Sequence, residues 1–373
     1  MNSSLQIRVF AHSLVSDWNH GNAHFLRGLC RALGRIGHKV RSYEELGSWS
    51  LSNLVKCEGE KAITAIDEFR ATYPDLDIHF YRNDSTFDPF IEEELKGVDV
   101  VIIHEWTEPV IANKVLALKR KYGFKALFHD THHRAYTRPA EILRFHLHLF
   151  DGLLAFGEAI RKIYTDGFGI PRAWTFHEAA DVEVFRPCPL KAVNDILWIG
   201  NWGDEERTRE LEEFLIKPAA ALKGRRRIIA HGVRYPDLAL MKLAEAGIEY
   251  RGYLPNLRAP EAYAQSMVSL HVPRRQYTNG LSGIPTIRVF EALSCGATLI
   301  CSPWQDAEHL FRPGEDYVCV PNGEAMIAEL EHLLLDEKAR RQIAANGIET
   351  IHKRHTCMHR AEQLTSIVEA LSQ

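Results

Sequence analysis

Short apolar runs alternate with longer amphipathic ones along this chain. IRVFAHSL (7–14) reads as a buried strand. NAHFLRGLCRALGRIG (22–37) then puts Phe25, Leu26, Leu29, Leu33 and Ile36 on one face of a helix, with Gly37 just past its end. HKVRSY opens a second strand. LDIHFY (76–81), VDVVIIH (98–104), KALFHD (125–130), GLLAFG (152–157) and RAWTFHE (172–178) read as further strands with helical segments between them. Strands alternating with helices imply βαβ crossovers and a parallel sheet.

The pattern breaks at FRPCPLKAVND (185–195), which has two prolines and little periodicity, and then restarts. DILWIG (195–200), RIIAHG (227–232), VSLHV (268–272), ATLICS (297–302) and YVCVP (317–321) are strand candidates. Helices fit 206–215, 235–246, 286–295, 323–335 and 337–352. The expectation is two α/β domains, 1–187 and 188–355, each a doubly wound parallel sheet. The last helical stretch, 356–371, is free to pack on either, and 356–373 packing back on the first is one arrangement. Ligands bind beyond the carboxyl ends of strands in such sheets, so the expected site is the cleft between the two domains.

Composition agrees with this division. The chain has 373 residues, and at about 100–200 residues per domain that allows two or three. A hydrophobic fraction of 46% and a charged fraction of 25% are ordinary for a folded domain. The net charge of -4 gives no general attraction to nucleic acid, although RRR at 225–227 is a local basic patch. Seven cysteines without a CxxC pair suit a reducing compartment, and Cys30, Cys295 and Cys301 sit in apolar runs that read as core. The N-terminus lacks a basic stretch followed by an apolar one, and no run of about 18 apolar residues occurs. A cytoplasmic protein without a transmembrane segment is therefore expected.

HDTHHRAY (129–136) is the densest polar cluster, with His129, Asp130, His132 and His133 in one loop. Their spacing matches neither a HExxH helix nor a Cys/His zinc site, so no metal is expected. DLD (75–77) precedes a strand and reads as a turn. His146 and His148, in RFHLHLF, read as helical residues with packing or solvent roles.

YTNGLSGIPTIRVFEALSCGATLICSPW (277–304) carries the most chemistry. A Gly/Pro/Ser/Thr loop leads into the helix TIRVFEALSC, which Gly296 stops. Free N–H groups and the helix dipole make that helix start a seat for phosphate. Glu291 lies too far along to cap the helix. It is placed either to accept hydrogen bonds from a ribose, as acidic residues do in dinucleotide folds, or as a solvated helix residue.

FEALSCGATLI, followed by PGEDYVCVPNGEAMIAELEHLLLDEKARRQIAANG, resembles the C-terminal half of group-1 glycosyltransferases. R-x-F-E-A-L-x-C-G is closest to their spore-maturation (CgeB-like) branch. The resemblance runs over roughly 195–365 and is weaker before it. It implies the GT-B fold, two Rossmann-like domains facing across a cleft. It also implies that Glu291 binds the donor ribose, that Arg288 is the arginine of that branch, and that Thr286 and Ile287 face the donor diphosphate. Many members carry a second glutamate eight positions before Glu291, and here that position is Gly283. The backbone amides of Asn279, Gly280 and Gly283 are then expected to take over contacts with sugar and phosphates. IGNWGDEERTREL (199–211) resembles the GN-x-x-x-x-R start of the second domain. Gly200 would permit close backbone approach and Arg207 would pair with the diphosphate, against the alternative of an intrahelical pair with Glu210. Tyr253 and Leu254 would line the base pocket.

In the first half, the family places a glycine-rich turn after the first strand, and Gly21 and Asn22 fill it, Asn22 being also a plausible N-cap. Asp17 and His20 share this loop. Either suits a general base in an inverting enzyme, and turn chemistry explains both equally well. VDVVIIHEWTEP (98–109) puts His104, Glu105 and Trp106 at a strand's carboxyl end and resembles the family's H-x-W segment, in which Trp106 would stack on a sugar face. His129 ends the next strand, where a family histidine contacts the donor sugar or the leaving diphosphate.

These readings converge on a glycosyltransferase using a UDP- or GDP-sugar, retaining and metal-independent, with His129 assisting departure of the diphosphate. Inversion with Asp17 or Glu105 as base is the alternative mechanism. No cofactor beyond the nucleotide-sugar co-substrate is implied, and no stable nucleic-acid partner. The acceptor stays open among a glycan, a lipid-linked glycan, a protein and a small molecule. A GT-B sugar-nucleotide epimerase and a catalytically silent binding subunit are the other classes.

Overall fold

Val100, Val101, Ile102 and Ile103 form an uninterrupted apolar strand and all four are buried, as parallel sheets covered on both faces require. The computed structural model describes residues 4–203 and 205–372. The chain divides into two units, one of Met1–Asp181 with Cys357–Gln373 and one of Val182–Thr356.

The first unit holds seven strands: β1 (Gln6–Phe10), β2 (Lys39–Glu45), β3 (Asp77–Tyr81), β4 (Val100–His104), β5 (Lys125–Asp130), β6 (Gly152–Ala155) and β7 (Ala173–Thr175). They lie in the order β3-β2-β1-β4-β5-β6-β7, every pair parallel. The order reverses at the β1/β4 boundary, so the crevice beyond the carboxyl ends of those two strands is the natural binding position. The helix Ala23–Arg35 follows β1 and buries Phe25, Leu26, Leu29 and Leu33. The final helix, Cys357–Ser372, belongs to this unit. Its start is tied down by Cys357 N–H donating to the Ala180 carbonyl at 2.9 Å. Gly28 makes the approach feasible: a Cβ there would stand 2.5 Å from Cys357 Sγ and 2.7 Å from Asp181 Cβ.

The second unit holds β8 (Asn194–Ile199), β9 (Ile228–His231), β10 (Ile248–Tyr250), β11 (Ser266–His271), β12 (Leu299–Cys301) and β13 (Val318–Cys319). Their order is β10-β9-β8-β11-β12-β13, again parallel throughout, with the reversal at β8/β11. Ile196, Trp198, Leu215, Ala230, Leu243, Val268 and Ile300 belong to one buried cluster around this sheet.

Several boundaries differ from the sequence reading. β10 is only IEY and too short to show a period. The helix expected over 206–215 starts at Glu205 and runs on to Leu222 through a π-helical turn at Glu212–Ile216. Pro218, which has no N–H to donate, lies at the start of the segment after that turn. His146 and His148 are not on a regular α-helix. His146 is left-handed, with φ 49°, and precedes a single 3-10 turn, Leu147–Leu149. Asp77 is the first residue of β3 and pairs with Arg41 at 2.8 Å.

Candidate functional site

In the second unit the chemistry collects where the strand order reverses. β11 ends in the buried His271, and the chain continues to Val272, whose carbonyl accepts from Arg207 Nη2 at 2.7 Å. The Arg207 guanidinium also lies 5.2 Å from the centre of the ring of Trp198, the penultimate residue of β8. Burial lowers the His271 pKa to about 3, and the nearby positive charges of Arg207 and Arg288 add to it. Two guanidiniums and a neutral imidazole thus share one end of β11. Glu210 pairs with Arg275 at 2.8 Å, which fixes the Arg207 helix to the turn that follows β11.

Thr286 is the N-cap of the helix Ile287–Ser294, but its hydroxyl makes no cap bond. Its Oγ1 is buried without a hydrogen-bond partner among the described residues. Glu291 is fully buried one turn in. Its Oε2 is bonded by Arg288 Nη1, and its Oε1 faces Asn256 Nδ2 at 3.4 Å. Asn256 comes from the segment just after Tyr253 and Leu254, both half-buried, so that segment is held beside Glu291. Glu291 is therefore not a solvated helix residue.

Two backbone expectations are corrected. The Asn279 amide is taken by the Arg275 carbonyl at 2.8 Å and is not available to a ligand. The Gly280 and Gly283 amides enter no backbone hydrogen bond among the described residues. The close approach at Gly200 is made by the chain itself: a Cβ on Gly232 would sit 2.1 Å from the Gly200 carbonyl oxygen. That carbonyl accepts from Tyr235 Oη at 2.6 Å. Gly283 has φ +92°, and a Cβ there would meet Ala307 Cβ at 3.1 Å, so the backbone itself disfavours a glutamate at this position.

In the first unit, register pairs His104 with His129 across β4 and β5, and their rings stand 5.5 Å apart. His129 also meets Phe25 at 5.9 Å and Phe176 at 5.6 Å. It is buried, its Nε2 has no partner among the described residues, and burial lowers its pKa to about 3. At neutral pH it is an uncharged imidazole.

Asn22 does not cap its helix. Its Nδ2 reaches Thr131 instead, donating to Oγ1 at 2.6 Å and to the carbonyl at 3.2 Å. His104 Nε2 shares the same Thr131 Oγ1 at 2.9 Å. Asn22, beside Gly21, thus ties the loop after β1 to the loop after β5. Asp17 is neutralised by Arg27 at 3.0 Å, both side chains being buried. Arg27 also donates to the Leu14 and Val15 carbonyls at 2.6 and 3.3 Å.

Glu105 is fully buried. Its carboxylate accepts from Thr131 N–H at 3.1 Å and from Arg134 Nε at 2.9 Å. Burial and the neighbouring Asp130 push its pKa well up. Asp130, also buried and also raised, accepts from Tyr164 Oη at 2.6 Å and from His132 N–H at 2.9 Å. Among the described residues no group of three or more His, Cys, Asp or Glu side chains is arranged to hold a metal ion.

Sequence reasoning missed His271 and the Glu105–Asp130 pair. His271 had a usable signal, since it ends a strand as His104 and His129 do.

Residues 207–366 match the family model described as Glycosyl transferase-like. No curated protein sequence matches the chain. Among solved structures, a glycosyltransferase from Rickettsia africae superposes with TM-score 0.67 at 12% identity, covering 100% of both chains. HepE from Anabaena, solved with UDP and glucose, gives TM-score 0.69 at 12% identity over 99% of this chain and 100% of its own. Sucrose-phosphate synthase from Thermosynechococcus elongatus gives 0.65 at 13% identity over 99% of each. The described helices include none long and apolar enough to cross a membrane. The chain thus has the two-sheet GT-B fold, and its residues 207–366 are similar to the glycosyl transferase-like family.

Proposed function

We propose that the protein transfers a sugar from a nucleotide-sugar donor to an acceptor. The observation that carries this is the gathering of Arg207, Arg288 and neutral His271 at the end of β11 in the glycosyl transferase-like unit. Two guanidiniums and the unsatisfied start of the Ile287–Ser294 helix suit a diphosphate. Thr286 Oγ1 and the Gly280 and Gly283 amides would supply further donors. Glu291 would offer its remaining lone pairs to the ribose, with Arg288 and Asn256 holding the carboxylate in place. Tyr253 and Leu254 would flank the base.

HepE is solved with UDP and with UDP-glucose, which makes a UDP-sugar the first donor to test and a GDP-sugar the second. The R-x-F-E-A-L-x-C-G stretch supports the reading that the chain is nearest the spore-maturation branch. Transfer with retention is favoured, because Asp17 is spent on Arg27, and Glu105 is buried and held by Arg134 Nε and the Thr131 N–H, so neither suits a base. His129, neutral and unpaired on Nε2, is the candidate to hydrogen-bond the sugar or leaving diphosphate. Arginines rather than a metal would balance the diphosphate charge, and EDTA should leave turnover unchanged. The domains proposed are 1–187 for the acceptor side and 188–355 for the donor side, with a cytoplasmic location.

The test is a panel of UDP- and GDP-sugars read by melting temperature and by nucleotide release. A bound UDP-sugar at 100 times its Kd raises stability by about 2.7 kcal/mol, which a melt detects. No shift with any nucleotide sugar defeats the proposal. Conversion of the donor to an epimer without release of nucleotide identifies an epimerase instead.

A further inference from the structure

Strands β12 and β13 pair in parallel, with Ile300 opposite Val318 and Cys301 opposite Cys319. Ile300 and Val318 both pack into the buried cluster on one face of the sheet. Side chains alternate along a strand, so Cys301 and Cys319 share the other face, side by side. Neighbouring strands run about 4.8 Å apart, within the roughly 4.4–6.8 Å that separates the Cα atoms of a disulfide. Both thiols are free, and they are unequal. Cys301 is fully buried, whereas Cys319 is exposed on the edge strand. Burial, and after it the nearby Cys319, push the Cys301 thiol well up, so it stays protonated and shielded from oxidants in solution. Cys319 is the thiol that meets them first.

The Cys319 thiol lies on the root of the segment 302–317 that joins the two strands. Its Sγ is 3.6 Å from the Ser302 carbonyl oxygen and 3.9 Å from that of Trp304. Trp304 carries the contact onward. Its Nε1 donates to the Ile284 carbonyl at 3.1 Å, and Tyr317 packs on its ring at 5.7 Å. Further along the segment, Ala307 and Glu308 close on Gly283. Cys319 is thus linked through Trp304 to the loop that would seat the diphosphate.

We infer that Cys301 and Cys319 close into a reversible disulfide that displaces Trp304 and loosens the 280–286 loop. The oxidant is a small disulfide such as oxidised glutathione. Cys319, once ionised, attacks one of its sulfurs and expels a glutathione thiolate, which takes up a proton. Cys301 then gives its proton to solvent and attacks the Cys319 sulfur of the mixed disulfide, expelling the second glutathione. The protein loses two electrons, and oxidised glutathione becomes two thiols. Paired residues of a parallel ladder hold their Cβ atoms about as far apart as the strands, wider than the roughly 3.5–4.5 Å of a relaxed disulfide. Closing therefore draws Cys319 off the two carbonyls and leaves a strained, easily reduced bond. Such a bond serves as a sensor in a reducing compartment and not as a structural staple. Its formation is independent of the transferase reading, and only its effect on the donor rests on it.

Titrating the full chain with oxidised glutathione tests this, with intact mass and peptide mapping to identify the product. The expected product has lost two hydrogens and joins Cys301 to Cys319. Dithiothreitol should reverse it, and Cys301→Ser and Cys319→Ser should abolish it. On oxidation, amide exchange over 280–286 and 302–317 should quicken and UDP-glucose should bind roughly fivefold or more weakly. Cys319→Ser, changed at an exposed position, keeps the fold and should show neither response. The inference is overturned if oxidation stops at glutathione on Cys319, or if the link joins other cysteines such as Cys57 and Cys188. It is equally overturned if the Cys301–Cys319 bond forms while exchange over 280–286 stays unchanged, or if both forms bind UDP-glucose equally. Faster exchange on oxidation, with no UDP-glucose binding to either form, keeps the switch and removes the donor reading.

Discussion

Arg288 and Glu291 face each other across one turn of the same helix, and they are unequal partners: the carboxylate is 0% exposed and the guanidinium 25%. Removing Arg288 takes a charged donor from a buried carboxylate that Asn256 Nδ2 meets only at 3.4 Å. Removing the Glu291 charge leaves an arginine that water can reach. Arg288→Ala should therefore cost about 2–4 kcal/mol in folding, and Glu291→Gln clearly less. If Glu291 holds the ribose, Glu291→Gln should weaken UDP-sugar binding by about tenfold or more while the melt barely moves. Calorimetry beside denaturant unfolding separates the two effects. Unchanged affinity in Glu291→Gln removes the ribose assignment.

Gly283 adopts φ +92° with Ala307 Cβ and Glu308 Cγ 3.1 and 3.2 Å from where a Cβ would stand. Gly283→Ala should lose about 1–3 kcal/mol from the backbone conformation alone. Gly283→Glu, which writes in the glutamate that the group-1 resemblance would put there, should be less stable still and should not raise turnover. Equal stability for Gly283→Ala and the natural chain, by urea unfolding, would show that the loop adjusts freely.

Gly28 and Cys357 give a test of how the last helix is held. A methyl on Gly28 meets Cys357 Sγ at 2.5 Å and Asp181 Cβ at 2.7 Å. Gly28→Ala should destabilise the first unit by about 1–3 kcal/mol. Cys357→Ala removes one of the two obstacles, so the double variant should lose less than the sum of the singles. Strict additivity in a double-mutant cycle would mean the helix shifts as a whole instead.

The strand ends were legible because VVIIH and KALFHD are continuous apolar runs that stop at a histidine, and a buried parallel strand needs no other signal. Glu291 and the loop before it were legible because a glycine-rich turn entering an amphipathic helix is local. What stayed hidden depends on contacts far apart in the chain. Asn22 has the composition of a helix cap, and its side chain instead crosses to Thr131. Asp17 looks like a loop carboxylate until Arg27, a residue of the helical face, turns back to meet it. Glu105 follows β4 and Asp130 ends β5, and only the register of β4 on β5 shows that the two carboxyls are neighbours and that Asp130 raises the pKa of Glu105. β10 has three residues, too few for any pattern to reveal.

The response to acid follows from two opposed sets of buried groups. Burial lowers His12 and His231 to about 4, and His129 and His271 to about 3. In the unfolded chain an imidazole titrates near 6.5. Below that pH the unfolded state takes up protons that the folded state refuses, so these four contribute stability that is full above 6.5 and lost on acidification. Each loses about 1.4 kcal/mol per pH unit once well below 6.5. Glu105 and Asp130 act in the opposite sense. Their pKa values are raised by burial and by each other, so the folded state holds protons that the unfolded chain releases, and acid favours folding there. The imidazoles are more numerous, so the melting temperature should fall between pH 6.5 and 5. His129→Gln should flatten that fall, because one refused proton is gone. Glu105→Gln should steepen it, because one retained proton is gone. Melting curves across this range decide the matter: shifts of the same sign in both variants, or slopes parallel to the natural chain, would mean these groups are not the ones that set the acid response.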